Sequence, residues 1–261
     1  MVVLRIKDGS GVVSEHRLPM SWREVDRSLL CELLELRAMG KGEKWWLDAA
    51  FLLLPVAVQD LLCEADVMSF ASFLGWIWDE EVLLVEALNG IVVSGVALYL
   101  PNRGMYNVCG NEWIDGNGYL IMHAKGVAGM VDRVIAVYCR SERAGYDVDL
   151  HDDRRISYTV ESANRRAEWI RDNMSDIVKA VLFAYLVQET QRVVDSPRYG
   201  KLFPNWDGEG VRPLPSVDVW YNFMLDAARL PNLGRDYDVT VQKPLHLILG
   251  AVLNEIKIQE G

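Results

Sequence analysis

Ser175-Asp176-Ile177-Val178-Lys179-Ala180-Val181-Leu182-Phe183-Ala184-Tyr185-Leu186-Val187-Gln188-Glu189-Thr190-Gln191-Arg192-Val193-Val194 carries a long helical pattern. Val178, Val181, Leu182, Tyr185, Leu186, Glu189 and Val193 recur at the 3.6-residue period, which would gather them on one side of a helix over 177–194. Ser175 is a good N-cap type, and Pro197 and Pro204 follow the end of the pattern.

Working outward, the same period recurs in most of the chain. Leu29, Leu30, Leu33, Leu34 and Leu36 predict a helix reaching Arg37. Ser21-Trp22-Arg23-Glu24 has the Ser-x-x-Glu form of a capping box, Asp26 is a second cap candidate, and Gly40-Lys41-Gly42 would break the helix. Trp45–Leu54 reads as an apolar helix, and Pro55 can open the next one over 56–62. Met68, Phe70, Phe73, Leu74, Ile77 and Trp78 fit a further helix. Residues 111–125 look helical but carry Gly116 and Gly118, which weaken the pattern. Val131–Arg140, with Val134, Ile135 and Tyr138 inward, Glu161–Arg171, Trp220–Leu230 and Leu245–Ile258 complete the helical set.

Two stretches alternate instead. Leu4 and Ile6 interleave with Arg5 and Lys7, Asp8-Gly9-Ser10-Gly11 supplies a turn, and Val12 to Leu18 forms a second extended run. Residues 89–100 are rich in Val, Ile and Leu and read as a short hairpin or two edge strands that could join the first hairpin in one small sheet. The expectation is a mainly α (α+β) protein: one helical domain over 1–261 with a small β-hairpin/sheet appendage from the N-terminal hairpin and the 89–100 region. The polar stretch 142–158 reads as an exposed loop and is the candidate internal boundary.

Composition narrows the function classes. The chain has 261 residues, 51% of them hydrophobic, so a substantial core is available. The formal net charge of −10 argues against general nucleic-acid binding, which needs a basic footprint. Arg154-Arg155 and Arg165-Arg166 are the dense basic pairs, and each sits among acids. The apolar stretches 47–58 and 82–100 are interrupted by Pro55 and by Glu86, Asn89, Gly90 and Gly95, so no membrane span is expected. The start of the sequence shows no signal-peptide pattern. The four cysteines, at 31, 63, 109 and 139, form no CxxC pair and are expected as free thiols in a reducing compartment.

The sequence carries no dinucleotide fingerprint, Walker loop, nucleophile elbow or His-Glu-x-x-His motif. His16, His123, His151 and His246 are far apart in sequence. His151-Asp152-Asp153 is the densest polar cluster; a His-Asp pair can ligate a metal, but the plainer and favoured reading is a solvated loop whose acids are balanced by Arg154 and Arg155. His246 would cap or pack at the start of the last helix, and Cys109 has no basic sequence neighbour to activate it. Nine tryptophans are a heavy load; Trp22 reads as a staple of the first helix, and Trp45, Trp46, Trp76 and Trp78 are the candidate interaction residues. The expectation is no catalytic residue, no metal and no cofactor.

The order of short motifs resembles proteins encoded in the tail-gene neighbourhoods of phages and prophages of gut Bacteroidetes. The resemblance runs along nearly the whole chain. Leu18-Pro19-x-Ser21-Trp22-x-Glu24-Val25 precedes a Leu-rich helix, and Val131-Asp132-Arg133-Val134-Ile135-Ala136-Val137-Tyr138-Cys139-Arg140 occupies the middle. A long helix then closes toward Leu202-Phe203-Pro204, with Phe223-Met224-Leu225-Asp226-Ala227-Ala228 and Pro244-Leu245-His246 near the end. What the resemblance implies is a structural or chaperone-like component of tail assembly or the virion. Its partners would be other tail or virion proteins, and its place the host cytoplasm during assembly or the virion itself. A metal-dependent enzyme with a dispersed site and an acidic regulatory binding protein are the alternatives.

Overall fold

A computed structural model describes residues 2–7, 13–39, 45–54, 56–59, 73–79, 90–151, 153–199, 202–203 and 216–260. It is mainly helical with a small amount of antiparallel strand. The chain divides into two compact units, 1–95 and 96–261, and the division falls at the Ser94-Gly95 turn. The 142–158 stretch, expected as an internal boundary, lies inside the second unit.

In the first unit β1 (Val2–Lys7) pairs antiparallel with β2 (Val13–Leu18), with Val2 opposite Leu18 and Lys7 opposite Val13. Arg5 and Glu15 face each other in this register and join at 2.8 Å, but both are exposed, so the pair adds little. The expected turn at 8–11 lies outside the described residues. Along β2 the burial alternates as the pleat requires and ends on the buried Leu18.

The Ser21-x-x-Glu24 signal is half realised. Residues 22–24 form a 3₁₀ turn; the Glu24 carboxylate accepts from the Met20 N–H at 2.9 Å, while the Ser21 side chain makes no capping bond. The helix proper, α1 (Arg27–Met39), starts just after the second cap candidate, Asp26. Its Leu30, Leu33, Leu34 and Leu36 are buried, as the period predicts. It packs on α2 (Trp45–Leu53), on α4 (Trp76–Asp79) and on β3 (Gly90–Val93), where the Cys31 thiol meets the Val92 carbonyl. Between them lies α3 (Val56–Gln59), whose Gln59 amide donates to the Phe51 and Leu54 carbonyls at the end of α2. The Gly40-Lys41-Gly42 break, Pro55, residues 60–62, Met68 and Phe70 lie outside the described residues.

β3 and β4 (Val96–Tyr99) form a second two-stranded sheet, separate from β1–β2 rather than continuous with it. Ser94 and Gly95 both have positive φ, 47° and 77°. That pair of left-handed residues matches the twist of a two-residue hairpin, which explains why the turn is so short.

The second unit is a helical assembly around α5 (Gly110–Ala124) and α6 (Met130–Tyr138). Every residue from Val134 to Cys139 is fully buried, because α6 is covered by α5, by α7 (Val160–Asn173) and by α8 (Asp176–Val194). Gly116 and Gly118 do not break α5. An added Cβ at Gly116 would lie 2.2 Å from the Tyr138 hydroxyl oxygen, so the glycine allows α5 and α6 to approach closely. α8 is capped by Ser175 as the sequence predicts, and its inward face includes Val178, Leu182, Tyr185, Leu186 and Val193.

Three further helices complete this unit: α9 (Val217–Ala227), capped by Ser216, α10 (Tyr237–Val241), capped by Asp236, and α11 (Leu245–Glu260). α9 packs on α5 through an aromatic contact, Trp113 edge-on to Trp220 at 5.2 Å. Phe203 and Phe223 also pack against the Trp220 ring. Among the described residues no helix is long and apolar enough to cross a membrane.

Candidate functional site

Among the described residues of the second unit, a buried charge cluster and an apolar groove are candidate sites. The first is the charge cluster. Glu112 lies one turn into α5, Arg140 follows α6, and Asp153 and Arg155 come from the 142–158 stretch. Arg140 and Arg155 are 2% and 0% exposed, and Glu112 is 1% exposed. Arg140 donates to Glu112 at 2.9 Å and Arg155 donates to its other oxygen at 2.7 Å. Asp153 accepts from Arg140 at 3.1 Å and from the Arg155 Nε at 3.0 Å. Other guanidinium hydrogens reach the carbonyls of Asn107, Tyr138 and Ile156, the Arg140 Nε is left without a hydrogen bond among the described residues, and the Asn107 amide donates to Asp153. Two cations and two carboxylates are therefore balanced and almost fully hydrogen-bonded, the condition under which buried charge is tolerated.

Burial pushes the Glu112 carboxyl up, and Arg155 and Arg140 oppose that shift. Arg155 also feels burial most, which lowers it, but Glu112 and Asp153 outweigh this and raise it. Burial lowers Arg140, which Glu112 partly offsets. The arrangement fastens the 142–158 stretch to the ends of α5 and α6. It offers no open coordination position and no unpaired nucleophile; its chemistry is that of a clasp.

This corrects the reading of 142–158 as an exposed loop. Its tip is exposed at Asp147–Leu150, but Glu142 bridges to Arg155 in the backbone and Arg155 is fully buried. Arg154 and Arg155 split in role: Arg154 pairs with Glu142 at 2.5 Å and lies over the Tyr99 ring, while Arg155 enters the clasp. Arg165 is exposed beside Glu161, and Arg166 is buried and donates to the Ala136 carbonyl. Sequence reasoning missed the clasp because Glu112, Arg140 and Arg155 are far apart in the chain. The signal available was the Arg-rich loop itself.

Of the metal candidates, His151 and Asp153 are engaged with other partners. Asp153 is committed to Asn107, Arg140 and Arg155, while the His151 Nδ1 lies 3.2 Å from the Asp147 carbonyl oxygen and its ring leans on Tyr146. Asp152 lies outside the described residues. Among the described residues no group of three His, Cys, Asp or Glu is placed to hold a metal. His246 packs as expected, its Nδ1 2.8 Å from the Tyr106 carbonyl, and His123 stacks edge-on with Phe183. Burial raises the thiols, Cys31 and Cys109 to about 11 and Cys139 to about 12; nearby acids add to the shift at Cys31 and Cys109, while Arg155 and Arg166 oppose it at Cys139. The thiols stay protonated at neutral pH. Cys63 lies outside the described residues.

The interaction candidates sit in the first unit. Trp76 is 7% exposed and packs edge-on against Trp22 at 5.3 Å. Trp45 and Trp78 meet at 4.8 Å, and both are half-buried, as is Trp46. The four are thus distributed over α2 and α4, with Trp76 part of that unit's core.

The second feature is a groove of about 510 Å³ between α9 and α11. Leu202, Phe223, Ala227, Leu230, Val252 and Ile256 line it, and its charged lining residues are Asp226 and Glu255. Among ligand-sized clefts it is of middling volume. Comparison with protein-family models, curated proteins and solved structures finds no match.

Proposed function

We propose that this protein works by binding another protein, as a non-enzymatic component of phage tail assembly or virion structure. The observation that carries the binding reading is the α9–α11 groove, with six apolar side chains and two acids at its walls. Such a groove suits an amphipathic helix, whose residues at i, i+3, i+4 and i+7 enter the apolar floor. The occupant argued for is a helix of a neighbouring tail protein with Lys or Arg beside its apolar stripe. Asp226 at the wall is already paired with Arg229, and the net charge of −10 is what favours that sign. The tail setting rests on the sequence resemblance.

The test is capture of purified tail proteins encoded by the adjacent genes with the full chain. F223D and V252D place charge in the groove, and circular dichroism verifies that each variant folds. Binding of one such protein, reduced at least about tenfold by both replacements, is the expected result, since each buries an uncompensated carboxylate. Failure to bind any of them, or binding that both variants retain, overturns the reading. A complex that persists in high salt is held by the apolar floor; one lost in salt is held by the acidic surface.

A further inference from the structure

A second cavity, of about 310 Å³, is lined by Arg103, Gly104, Tyr106, Arg192, Val193, Ser196 and Tyr199. We propose that it is an anion site for a phosphate monoester carrying a flat ring, the phosphate held by Arg103 and Arg192 and the ring lying along Tyr106.

The site is built around Glu189. This carboxylate is fully buried; it accepts from the Gly104 N–H at 2.6 Å and lies 3.2 Å from the Arg192 Nε. It thereby ties the 103–105 loop to the last turn of α8. The loop is held in an unusual shape: Gly104 has φ 71° and the following, fully buried Met105 has φ 57°. A left-handed non-glycine residue costs on the order of 1 kcal/mol and persists only where its surroundings enforce it. Gly104 has a further reason to lack a side chain, because a Cβ there would sit 3.1 Å from the Tyr106 ring. The loop presents Arg103 at the cavity and closes onto the Tyr106 ring, whose orientation is set by His246 at 5.6 Å.

The charge balance favours an anion. Glu189 neutralises one guanidinium, and no carboxylate pairs with exposed Arg103 among the described residues. One full positive charge is left at the cavity of a chain whose net charge is −10. The carbonyl end of α8 opposes this with about half a unit of negative charge, so the guanidiniums prevail. Arg192 meets Glu189 through Nε, which leaves its terminal nitrogens for the bidentate geometry that guanidinium offers to phosphate. Tyr106 is half exposed and supplies the flat apolar wall.

The experiment is titration of the full chain at constant ionic strength, followed by calorimetry and by NMR of the arginine side chains. The probes are phenyl phosphate, adenosine 5′-monophosphate and inorganic phosphate, with chloride as the control. Phenyl phosphate is expected to bind and to shift the Arg103 and Arg192 signals, with inorganic phosphate weaker by about tenfold for want of the ring. Tighter binding of the adenosine probe assigns the ring to a nucleotide, and tighter phenyl phosphate to a smaller aryl ester; either supports the site. R103A removes an exposed side chain that pairs with no carboxylate among the described residues, and should weaken binding by about tenfold without moving the unfolding midpoint. R103K should restore part of the loss. Binding that R103A leaves within about twofold, equal affinity for inorganic and aryl phosphate, or no binding tighter than about 10 mM overturns the proposal.

Discussion

At Gly116 an added methyl would collide with Tyr138, whose ring is fully buried and has nowhere to move. At Gly250, within α11, the same methyl would meet nothing within 4 Å. The two positions look alike in sequence, each a glycine within a helical pattern, and tertiary packing alone separates them. G116A is expected to destabilise the fold by about 3 kcal/mol, the upper range for overpacking a close contact. G250A should stabilise it by about 1 kcal/mol, because alanine gives up less chain entropy in a helix. Urea midpoints decide both. A neutral G116A would mean that α5 and α6 can separate freely, and a destabilising G250A would mean the methyl meets an obstacle.

Among the elements, α5, α6 and the 142–158 stretch are fastened by the clasp. Glu112 serves two purposes, since its carboxylate also accepts from the Cys109 N–H at the start of α5. E112Q keeps the shape but leaves Arg140 and Arg155 with only Asp153, so one buried positive charge is uncompensated. The expected loss is about 3–5 kcal/mol in denaturant unfolding. A loss below about 1 kcal/mol would show that water reaches the guanidiniums and that the cluster is not a clasp. Individual helices were readable from local pattern: the periods of α1, α6 and α8 place most of the residues that the structure buries, with Leu29 and Val181 only half-buried. The clasp was not, because a polar stretch reads as solvated unless its partners, 43 residues away in the case of Arg155 and Glu112, are known.

For the molecule as a whole, the excess of acids sets the colloidal behaviour. Net charge vanishes near the sequence pI of 5.0, so light scattering at fixed concentration should peak close to that pH and fall at pH 7, where the charge is −10. Scattering that is flat across this range would mean the acids are neutralised by partners within an assembly.

The sequence by itself determined the mainly helical class, the N-terminal hairpin, the caps at Ser175 and the absence of long apolar spans, because these depend on local periodicity and on residue types within a few positions. It also marked the aromatic load, but not its use: Trp22, Trp113 and Trp220 are core, and only packing shows it. Tertiary structure alone decided where the chain divides, that the two strand pairs are separate, and that Arg155 is buried rather than solvated. It alone brought Arg103 of a strained loop beside Arg192 of α8, and Phe223 of α9 beside Val252 of α11. Such meetings depend on contacts between distant residues, whose closure is set by the sum of many packing terms rather than by any local pattern.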